Sequence, residues 1–171
     1  MTLILVGYMG SGKSVVGLDL ADILNFDYLD LDNYIEAKEN RSIFELFKVK
    51  GELYFRKMEA IYLKEVLLKD NMVVSLGGGT PCYGINMNEI IKSKAKSIYL
   101  RATVTTLTKR IFPERAKRPM VSHLETIESL QEFVGKHLFE RSAFYDQADL
   151  TIDTDGKTVT QIAENIVSEL F

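Results

Sequence analysis

The stretch Gly7–Ser14 has the residue types and spacing of a phosphate-binding loop, GYMGSGKS. It fits the pattern G-x-x-x-x-G-K-[ST], in which the lysine reaches the β- and γ-phosphates and the hydroxyl ligates Mg²⁺. Glycines allow successive backbone N–H groups to surround a phosphate, and the following helix directs its positive N-terminus at the same anion. The stretch therefore predicts a nucleoside triphosphate site. The residues expected to line it are Gly10, Ser11, Gly12, Lys13, Ser14 and Val15.

Two carboxylates follow at the end of the second apolar run, in the sequence Tyr28-Leu29-Asp30-Leu31-Asp32. In an extended strand, residues two apart point to the same side, so both carboxylates should face the phosphate loop. Asp30 could hold Mg²⁺ directly or through water, and Asp32 could accept the proton of an attacking hydroxyl. The alternative is that Asp32 only caps the next helix.

Three consecutive glycines, Gly77–Gly79, follow the apolar run Met72–Leu76. They remove every side chain from a strand end, so a ligand could contact the backbone there directly. A plain tight turn is the alternative. The chain has no Asn-Lys-x-Asp motif for reading guanine, which disfavours a GTPase switch.

Three arginines could bind anionic groups. Arg56 lies in a helical stretch with Glu59 three residues on, and Arg141 lies in a second helical stretch. Guanidinium binds carboxylate through two parallel hydrogen bonds, although a lone helical arginine is more often a surface ion-pair partner. Arg118 lies in a basic segment with two prolines, which predicts a mobile lid that offsets charge on the phosphates. A solvated basic loop is the alternative.

The elements that must position these groups alternate between strand-like and helical patterns. This alternation predicts a parallel sheet with helices on both faces and a ligand site at the carboxyl ends of the strands. A final helix is expected over Thr158–Phe171, with Thr158 as its cap. The predicted strands are Leu3–Val6, Asp27–Leu31, Met72–Leu76, Ser97–Leu100 and Leu150–Ile152.

Composition narrows the class of protein. The 171 residues predict a single domain, and the net charge of −3 argues against nucleic acid as a partner. Cys82 is the single cysteine, which excludes an internal disulfide and fits a reducing cytoplasm. No run approaches the roughly 20 apolar residues of a membrane span, and the four-residue N-terminal run predicts no signal peptide. Neither histidine has partners at zinc-ligand spacing.

Taken in order, these motifs resemble those of shikimate kinase along essentially the whole chain. The aspartate pair, the triple glycine and a Phe-Arg pair at these separations are specific to that family. The matching pieces are Gly7–Ser14, Tyr28–Asp32, Gly51-Glu52, Phe55-Arg56, Glu59, Leu76–Gly79, Arg118-Pro119, Arg141 and Tyr145. The resemblance implies an α/β, three-layer P-loop kinase with a five-stranded parallel sheet in the order 2-3-1-4-5. It also implies phosphorylation of the 3-hydroxyl of shikimate with ATP and Mg²⁺.

The resemblance assigns roles to individual residues. Asp32, Lys13 and Arg118 would act in catalysis, and Ser14 and Asp30 would hold the metal. Arg118 would also bind ATP, together with Arg110 against adenine. The residues expected at shikimate are Asp32, Arg56, Gly77, Gly78, Gly79 and Arg141.

The resemblance further implies one kinase domain over residues 1–171, with a phosphate loop at 7–14, a substrate-binding segment at 32–60 and a lid at 112–125. The expected enzyme is a cytoplasmic monomer that acts on small molecules, with no nucleic-acid or membrane partner. Two alternatives stay open: another P-loop kinase, for gluconate or nucleoside monophosphates, and a non-catalytic ATP-binding module. The triple glycine and the aspartate pair disfavour the first, and the intact catalytic set disfavours the second.

Overall fold

A computed structural model describes residues 1–171 as a five-stranded sheet covered by eight α-helices. All neighbouring strands are parallel, and their order is β2-β3-β1-β4-β5, as predicted. The strands are β1 (Thr2–Val6), β2 (Asp27–Asp30), β3 (Met72–Ser75), β4 (Lys96–Arg101) and β5 (Leu150–Asp153). The helices are α1 (Lys13–Leu24), α2 (Leu31–Glu39), α3 (Ile43–Lys50), α4 (Glu52–Leu67), α5 (Asn86–Lys92), α6 (Val104–Ile111), α7 (Ile127–Tyr145) and α8 (Val159–Leu170).

The helices form two layers because side chains of each strand alternate between the two faces of the sheet. In β1, Leu3 and Leu5 pack with α1 and α8, whereas Ile4 and Val6 pack with helices of the opposite face, α2 to α7. All four side chains are fully buried. The result is the predicted three-layer arrangement, which leaves the carboxyl ends of the strands as the open edge.

Helix ends agree with local sequence signals. Thr158 caps α8 through its hydroxyl, which accepts from the backbone N–H of Gln161 at 3.2 Å, and the Gln161 side chain accepts from the N–H of Thr158 at 2.9 Å. The proline-containing segment forms a 3₁₀ helix over Phe112–Lys117 and then turns, so no uninterrupted α-helix continues there.

One predicted boundary is wrong and affects the site. The second strand was expected to run to Leu31, but β2 ends at Asp30 and Leu31 already begins α2. The helix cap is Asp30, whose Oδ1 accepts from the N–H of Asn33 at 3.1 Å, and not Asp32. Asp32 therefore lies in the first turn of α2, where a carboxylate is favoured by the helix dipole.

Candidate active site

The phosphate loop connects β1 to α1 and leaves the N–H groups at the start of α1 without a side-chain cap, whereas the N–H of Ser11 donates to the carbonyl of Tyr8 at 3.1 Å. Gly10 and Gly12 have φ of 78° and 94°, a region that side-chain-bearing residues rarely adopt. Gly12 is also the cap of α1, and it offers no side chain to the first N–H groups of the helix. These donors are therefore free for an anion, as the motif predicts.

Lys13 is held inside this loop by backbone carbonyls. Its Nζ donates to the carbonyl of Gly7 at 2.8 Å and to that of Tyr8 at 3.0 Å. Burial of the ammonium lowers the pKa of Lys13 to about 8, and the nearby carboxylates Asp32 and Asp30 partly offset this effect. A triphosphate would restore a full charge to this lysine.

A cleft of about 510 Å³ lies between the phosphate loop, the start of α2 and the segment after β3. It brings predicted residues from distant parts of the sequence together in space. Val15, half exposed, lies in its wall. The predicted residues that line the cleft are Gly10, Gly12, Lys13, Ser14, Val15, Asp30, Asp32, Gly77, Gly78, Arg110 and Arg118.

Asp30 and Asp32 both line this cleft, although not for the reason predicted. Asp30 lies at the extended end of β2 and caps α2, whereas Asp32 reaches the cleft from the first turn of α2. Burial, followed by the charges of Asp30 and Glu59, raises the pKa of Asp32 to about 6. A carboxylate with a pKa nearer neutrality is a better proton acceptor from a hydroxyl than an ordinary aspartate.

The residues Gly77–Gly79 form the floor between three charged side chains. A Cβ at Gly77 would lie 3.0 Å from Oδ1 of Asp32. At Gly79 it would lie 3.2 Å from Nη2 of Arg56 and 3.3 Å from Nη2 of Arg141. The segment is also a turn, because the N–H of Thr80 donates to the carbonyl of Gly77 at 3.0 Å. The bare backbone is what lets the three charged groups approach this floor.

Arg56 forms one wall of the floor from α4. Its Nη1 donates to Oε2 of Glu59 at 2.9 Å, and Glu59 is 1% exposed. Oε1 of Glu59 accepts from the hydroxyl of Thr80 at 2.7 Å. The ring of Tyr83 covers the guanidinium, with Cζ of Arg56 3.6 Å from the ring centroid, and Glu52 lies 3.6 Å from Nε. The sequence indicated the Arg56–Glu59 spacing but gave no signal for Thr80 or Tyr83.

Arg141 forms the opposite wall from α7. No carboxylate lies within salt-bridge distance of its guanidinium, in contrast to Arg56. One turn later, the hydroxyl of Tyr145 donates to the carbonyl of Gly78 at 2.5 Å. A Cβ at Gly78 would lie 3.5 Å from Nη1 of Arg141, so this wall packs directly on the floor.

The predicted lid segment contributes Arg118 and Glu114 to the cleft. Nη2 of Arg118 lies 3.6 Å from Oε2 of Glu114, and its buried Nε has no hydrogen-bond partner. Arg115 fastens the segment to itself by donating to the carbonyls of Leu124 and Phe112 at 3.1 and 2.8 Å. The unpaired Nε leaves Arg118 with capacity for an anionic ligand.

Arg110 lies beside the phosphate loop, where its Nη1 donates to the carbonyl of Gly10 at 3.2 Å. Its position at the rim of the same cleft is compatible with a contact to the nucleotide base. The adenine contact itself stays a prediction.

The donors in the cleft suit Mg²⁺ bound together with a nucleotide. The structure has no group of three or more His, Cys, Asp or Glu side chains that could hold a metal. Mg²⁺ is usually held by one or two carboxylates plus substrate phosphates, and it prefers oxygen ligands. Ser14 and Asp30 offer such oxygens in one cleft with Lys13. None of the helices has the length and apolar character needed to cross a bilayer.

Comparison with known proteins agrees with this geometry. The family model described as shikimate kinase matches residues 9–171. The shikimate kinase of Flavobacterium johnsoniae is 38% identical, covering 98% of this chain and 98% of that protein. The crystal structure of shikimate kinase from Bacteroides thetaiotaomicron superposes with a TM-score of 0.88 at 33% identity, covering 99% of this chain and 96% of that one.

A shikimate kinase from Acinetobacter baumannii, solved in complex with shikimate, superposes with a TM-score of 0.87 at 29% identity, covering 99% of this chain and 92% of that one. The structure of a gluconokinase from Sinorhizobium meliloti has a TM-score of 0.58 at 15% identity, and this likeness shows the fold alone. Enzymes of the matched family use ATP as co-substrate with Mg²⁺. The phosphate loop, the glycine floor with its flanking arginines and the match over nearly the full length lead to one conclusion: the chain belongs to the shikimate kinase family.

Proposed function

We propose that this enzyme transfers the γ-phosphate of ATP to the 3-hydroxyl of shikimate, giving shikimate 3-phosphate and ADP for aromatic amino acid synthesis. The single observation that carries the proposal is the glycine floor. There, Asp32 and two guanidinium groups converge so closely on three consecutive glycines that a Cβ added at any of them would lie within 3.5 Å of one of these groups. An anionic ring acid with hydroxyl groups has the chemistry that this arrangement recognises.

The phosphate side of the cleft would bind the nucleotide. The N–H groups of Gly10–Ser14, of which that of Ser11 donates to the carbonyl of Tyr8, would surround the β- and γ-phosphates, and Lys13 would exchange its backbone carbonyls for phosphate oxygens. Ser14 and Asp30 would hold Mg²⁺, which neutralises charge on the phosphates when bound. Arg118 adds a second cation from the lid side, where charge spreads over the transferred group.

The acceptor side would bind the substrate carboxylate between Arg56 and Arg141. Gly77, Gly78 and Gly79 allow the ring to lie against the backbone, because a Cβ there would approach the charged groups themselves. This places the ring hydroxyls on the Asp32 side of the floor. The geometry supports the substrate-binding role predicted for segment 32–60, and it adds Arg141 from outside that segment.

Asp32 would accept the proton of the attacking hydroxyl. The raised pKa of its carboxyl, about 6, keeps it ionised at neutral pH while making it a stronger base than an ordinary aspartate. The oxygen then attacks the γ-phosphorus directly, the bond to the ADP oxygen breaks, and no covalent enzyme intermediate forms. Closure of residues 112–125 would exclude water, which prevents simple hydrolysis of ATP.

The decisive experiment is ATP turnover with and without shikimate, measured for the native enzyme and for Asp32→Asn. Strong dependence on shikimate is expected, with kcat of Asp32→Asn reduced by roughly 10²- to 10⁴-fold, the usual contribution of a general base. Asp27→Asn is the matched control, since Asp27 is exposed at the start of β2, the strand that leads into α2. Unchanged turnover in Asp32→Asn would rule out the proposed base. ATP turnover that ignores shikimate would overturn the function.

The pH profile tests the same base independently. Asp32 must be ionised to accept a proton, so kcat/KM for shikimate should fall as pH drops below about 6, the value to which its pKa is raised. The native enzyme should show this acid limb, and the residual activity of Asp32→Asn should not. If kcat/KM for shikimate stays constant between about pH 5 and about pH 7, the assignment of Asp32 as the base is contradicted.

Three further features belong to the same proposal. Residues 1–171 act as one kinase domain, with the phosphate loop at 7–14 and the lid at 112–125. The enzyme works as a monomer on small molecules and not on nucleic acid, which the net charge of −3 supports. A cytoplasmic location is supported by its single cysteine.

A further inference from the structure

Three side chains on successive turns of α7 face the active site. Tyr145 donates its hydroxyl to the carbonyl of Gly78 at 2.5 Å, and Arg141, one turn earlier, approaches Gly78 and Gly79. His137, one turn earlier again, lies with its Nδ1 2.9 Å from the hydroxyl oxygen of Tyr8. Residues four apart share one helix face, so the turn that carries Arg141 is held from both sides.

Tyr8 belongs to the phosphate loop and is fully buried. Its backbone carbonyl accepts from the ammonium of Lys13, and its ring lies 6.0 Å from Cζ of Arg141. Ring contacts add to the hydrogen bond, because Tyr8 and His137 also meet edge to face with centroids 5.4 Å apart. One residue thus contacts the lysine on the nucleotide side and the helix that carries the acceptor-side arginine.

Both partners of this hydrogen bond are neutral at pH 7. Burial raises the pKa of Tyr8 to about 12, so its phenol keeps its proton. Burial and the charge of Arg141 lower the pKa of His137, so the imidazole is neutral at pH 7. The contact is therefore a hydrogen bond between two neutral groups, whose direction follows the imidazole tautomer.

We propose that the Tyr8–His137 hydrogen bond is a positioning contact that couples occupancy of the phosphate loop to the placement of Arg141. The proposal rests on the proposed function, in which Arg141 binds the substrate carboxylate. When a nucleotide takes the Lys13 ammonium, the carbonyl of Tyr8 loses one of its two donors and keeps only the N–H of Ser11, so the loop around Tyr8 can shift. The hydrogen bond carries this change to α7, one turn from Arg141. Nucleotide and shikimate then bind cooperatively, since each favours the same placement of α7.

The test is calorimetric titration of shikimate in the absence and presence of saturating Mg–ADP. Coupling is the ratio of the two dissociation constants, expected at roughly 5-fold or more in the native enzyme, the lower end of typical allosteric coupling. Tyr8→Phe keeps the ring and removes only the hydroxyl that bonds to His137, so its ratio should fall toward one. Its affinity for shikimate without nucleotide should change by less than roughly 12-fold, the upper range for one neutral hydrogen bond.

Two comparisons separate positioning from a merely structural effect. Tyr28→Phe is the matched control, because the hydroxyl of Tyr28 is buried without a hydrogen-bond partner on β2. It should keep the native ratio. His137→Ala should lose the coupling, whereas His137→Asn should recover much of it, because the Asn side-chain oxygen can take the place of Nδ1.

The proposal would be overturned if Tyr8→Phe has the same ratio of dissociation constants as the native enzyme. It would also be overturned if the ratio of the native enzyme itself is near one. Loss of coupling in Tyr28→Phe as well would show a general loss of rigidity and would also overturn it. These outcomes differ from failure of the proposed function, in which the native enzyme itself would neither bind shikimate nor turn over ATP in its presence. Thermal unfolding of each variant shows that it remains folded.

Discussion

The two arginines that face Gly79 are held in opposite ways. Arg56 on α4 is paired with the buried Glu59 and lies close to Glu52, and Tyr83 covers its guanidinium. Arg141 on α7 has no acidic partner within salt-bridge distance. Both would lie within 3.3 Å of a Cβ added at Gly79.

This difference indicates that the two arginines contribute in different ways, Arg56 through its fixed orientation and Arg141 through its charge. Because Glu59 neutralises Arg56, that guanidinium adds little net charge, but its direction is fixed by contacts on several sides. Arg141 has no such partner, so its positive charge is uncompensated and would attract the carboxylate of the proposed substrate. Two cations within a short distance would repel each other strongly in a site of low dielectric, and Glu59 relieves this repulsion.

The largest expected effect is on stability in Arg56→Ala. Removing the arginine leaves the Glu59 carboxylate buried and unpaired, which should lower the free energy of unfolding by about 3–5 kcal/mol. Arg56→Ala/Glu59→Gln should recover much of this loss, because the buried charge is gone. Urea unfolding measures both. Equal destabilisation in the single and double variants would show that Glu59 does not depend on Arg56 for its charge balance.

Arg141→Ala should have the largest effect confined to binding. It should weaken shikimate binding by about 2–5 kcal/mol, the scale for losing one partner of a buried charge pair, and leave ATP binding nearly intact. It leaves no acid unpaired, so its unfolding free energy should change far less than that of Arg56→Ala. Calorimetry on this variant and on Arg41→Ala, an exposed arginine, provides the comparison. A large stability loss in Arg141→Ala would remove the distinction between the two walls.

Tyr83 tests whether the α4 wall needs its aromatic cover. Tyr83→Leu removes the stacked ring, a contact worth about 0.5–2 kcal/mol, and should raise KM for shikimate more than it lowers kcat. Tyr83→Phe keeps the ring and loses only the hydrogen bond to Glu52, which is 3.2 Å long and exposed. In steady-state kinetics, Tyr83→Phe should therefore have nearly the same KM for shikimate and kcat as the native enzyme. Native kinetics in Tyr83→Leu would show that Glu59 alone orients Arg56.

The smallest expected effect is that of Tyr145→Phe on the α7 wall. It removes one hydrogen bond to the carbonyl of Gly78, for a loss of about 0.5–1.5 kcal/mol in unfolding free energy. Because this bond joins α7 to the floor, KM for shikimate should rise modestly as well. Thermal unfolding together with kinetics measures both, and an unchanged KM would place the bond outside substrate binding.

Sequence patterns with local causes were enough to predict the alternation of strands and helices and the phosphate loop. All five predicted strands and the cap at Thr158 are present, and the strand order agrees with the one that the resemblance to shikimate kinase implies. The prediction that Asp30 and Asp32 both face the phosphate loop agrees with the structure, but the predicted reason, an extended strand through both residues, is wrong. The strand signal continued through Leu31, but the Asp30 carboxylate satisfies the N–H of Asn33 and so starts a helix earlier.

Contacts between residues far apart in the chain could not be predicted in this way. Tyr8 and His137 are separated by 129 residues; Tyr8 occupies a variable position of the phosphate loop, and His137 belongs to no motif. The hydroxyl of Thr80 reaches Glu59 across 21 residues, and the stack of Tyr83 on Arg56 depends on how the chain turns after the glycines. Such pairs depend on tertiary packing, which a period or spacing does not encode.

The glycine floor also limits how this enzyme could evade an inhibitor. A ligand that takes its hydrogen bonds from the backbone of Gly77–Gly79 offers the cell no side chain to exchange. Any substitution there would place a Cβ within 3.5 Å of Asp32, Arg56 or Arg141, the groups proposed to bind the substrate. Resistance mutations should therefore arise in the two walls or the lid. A substitution in the glycine floor should also reduce the activity of the enzyme toward its own substrate.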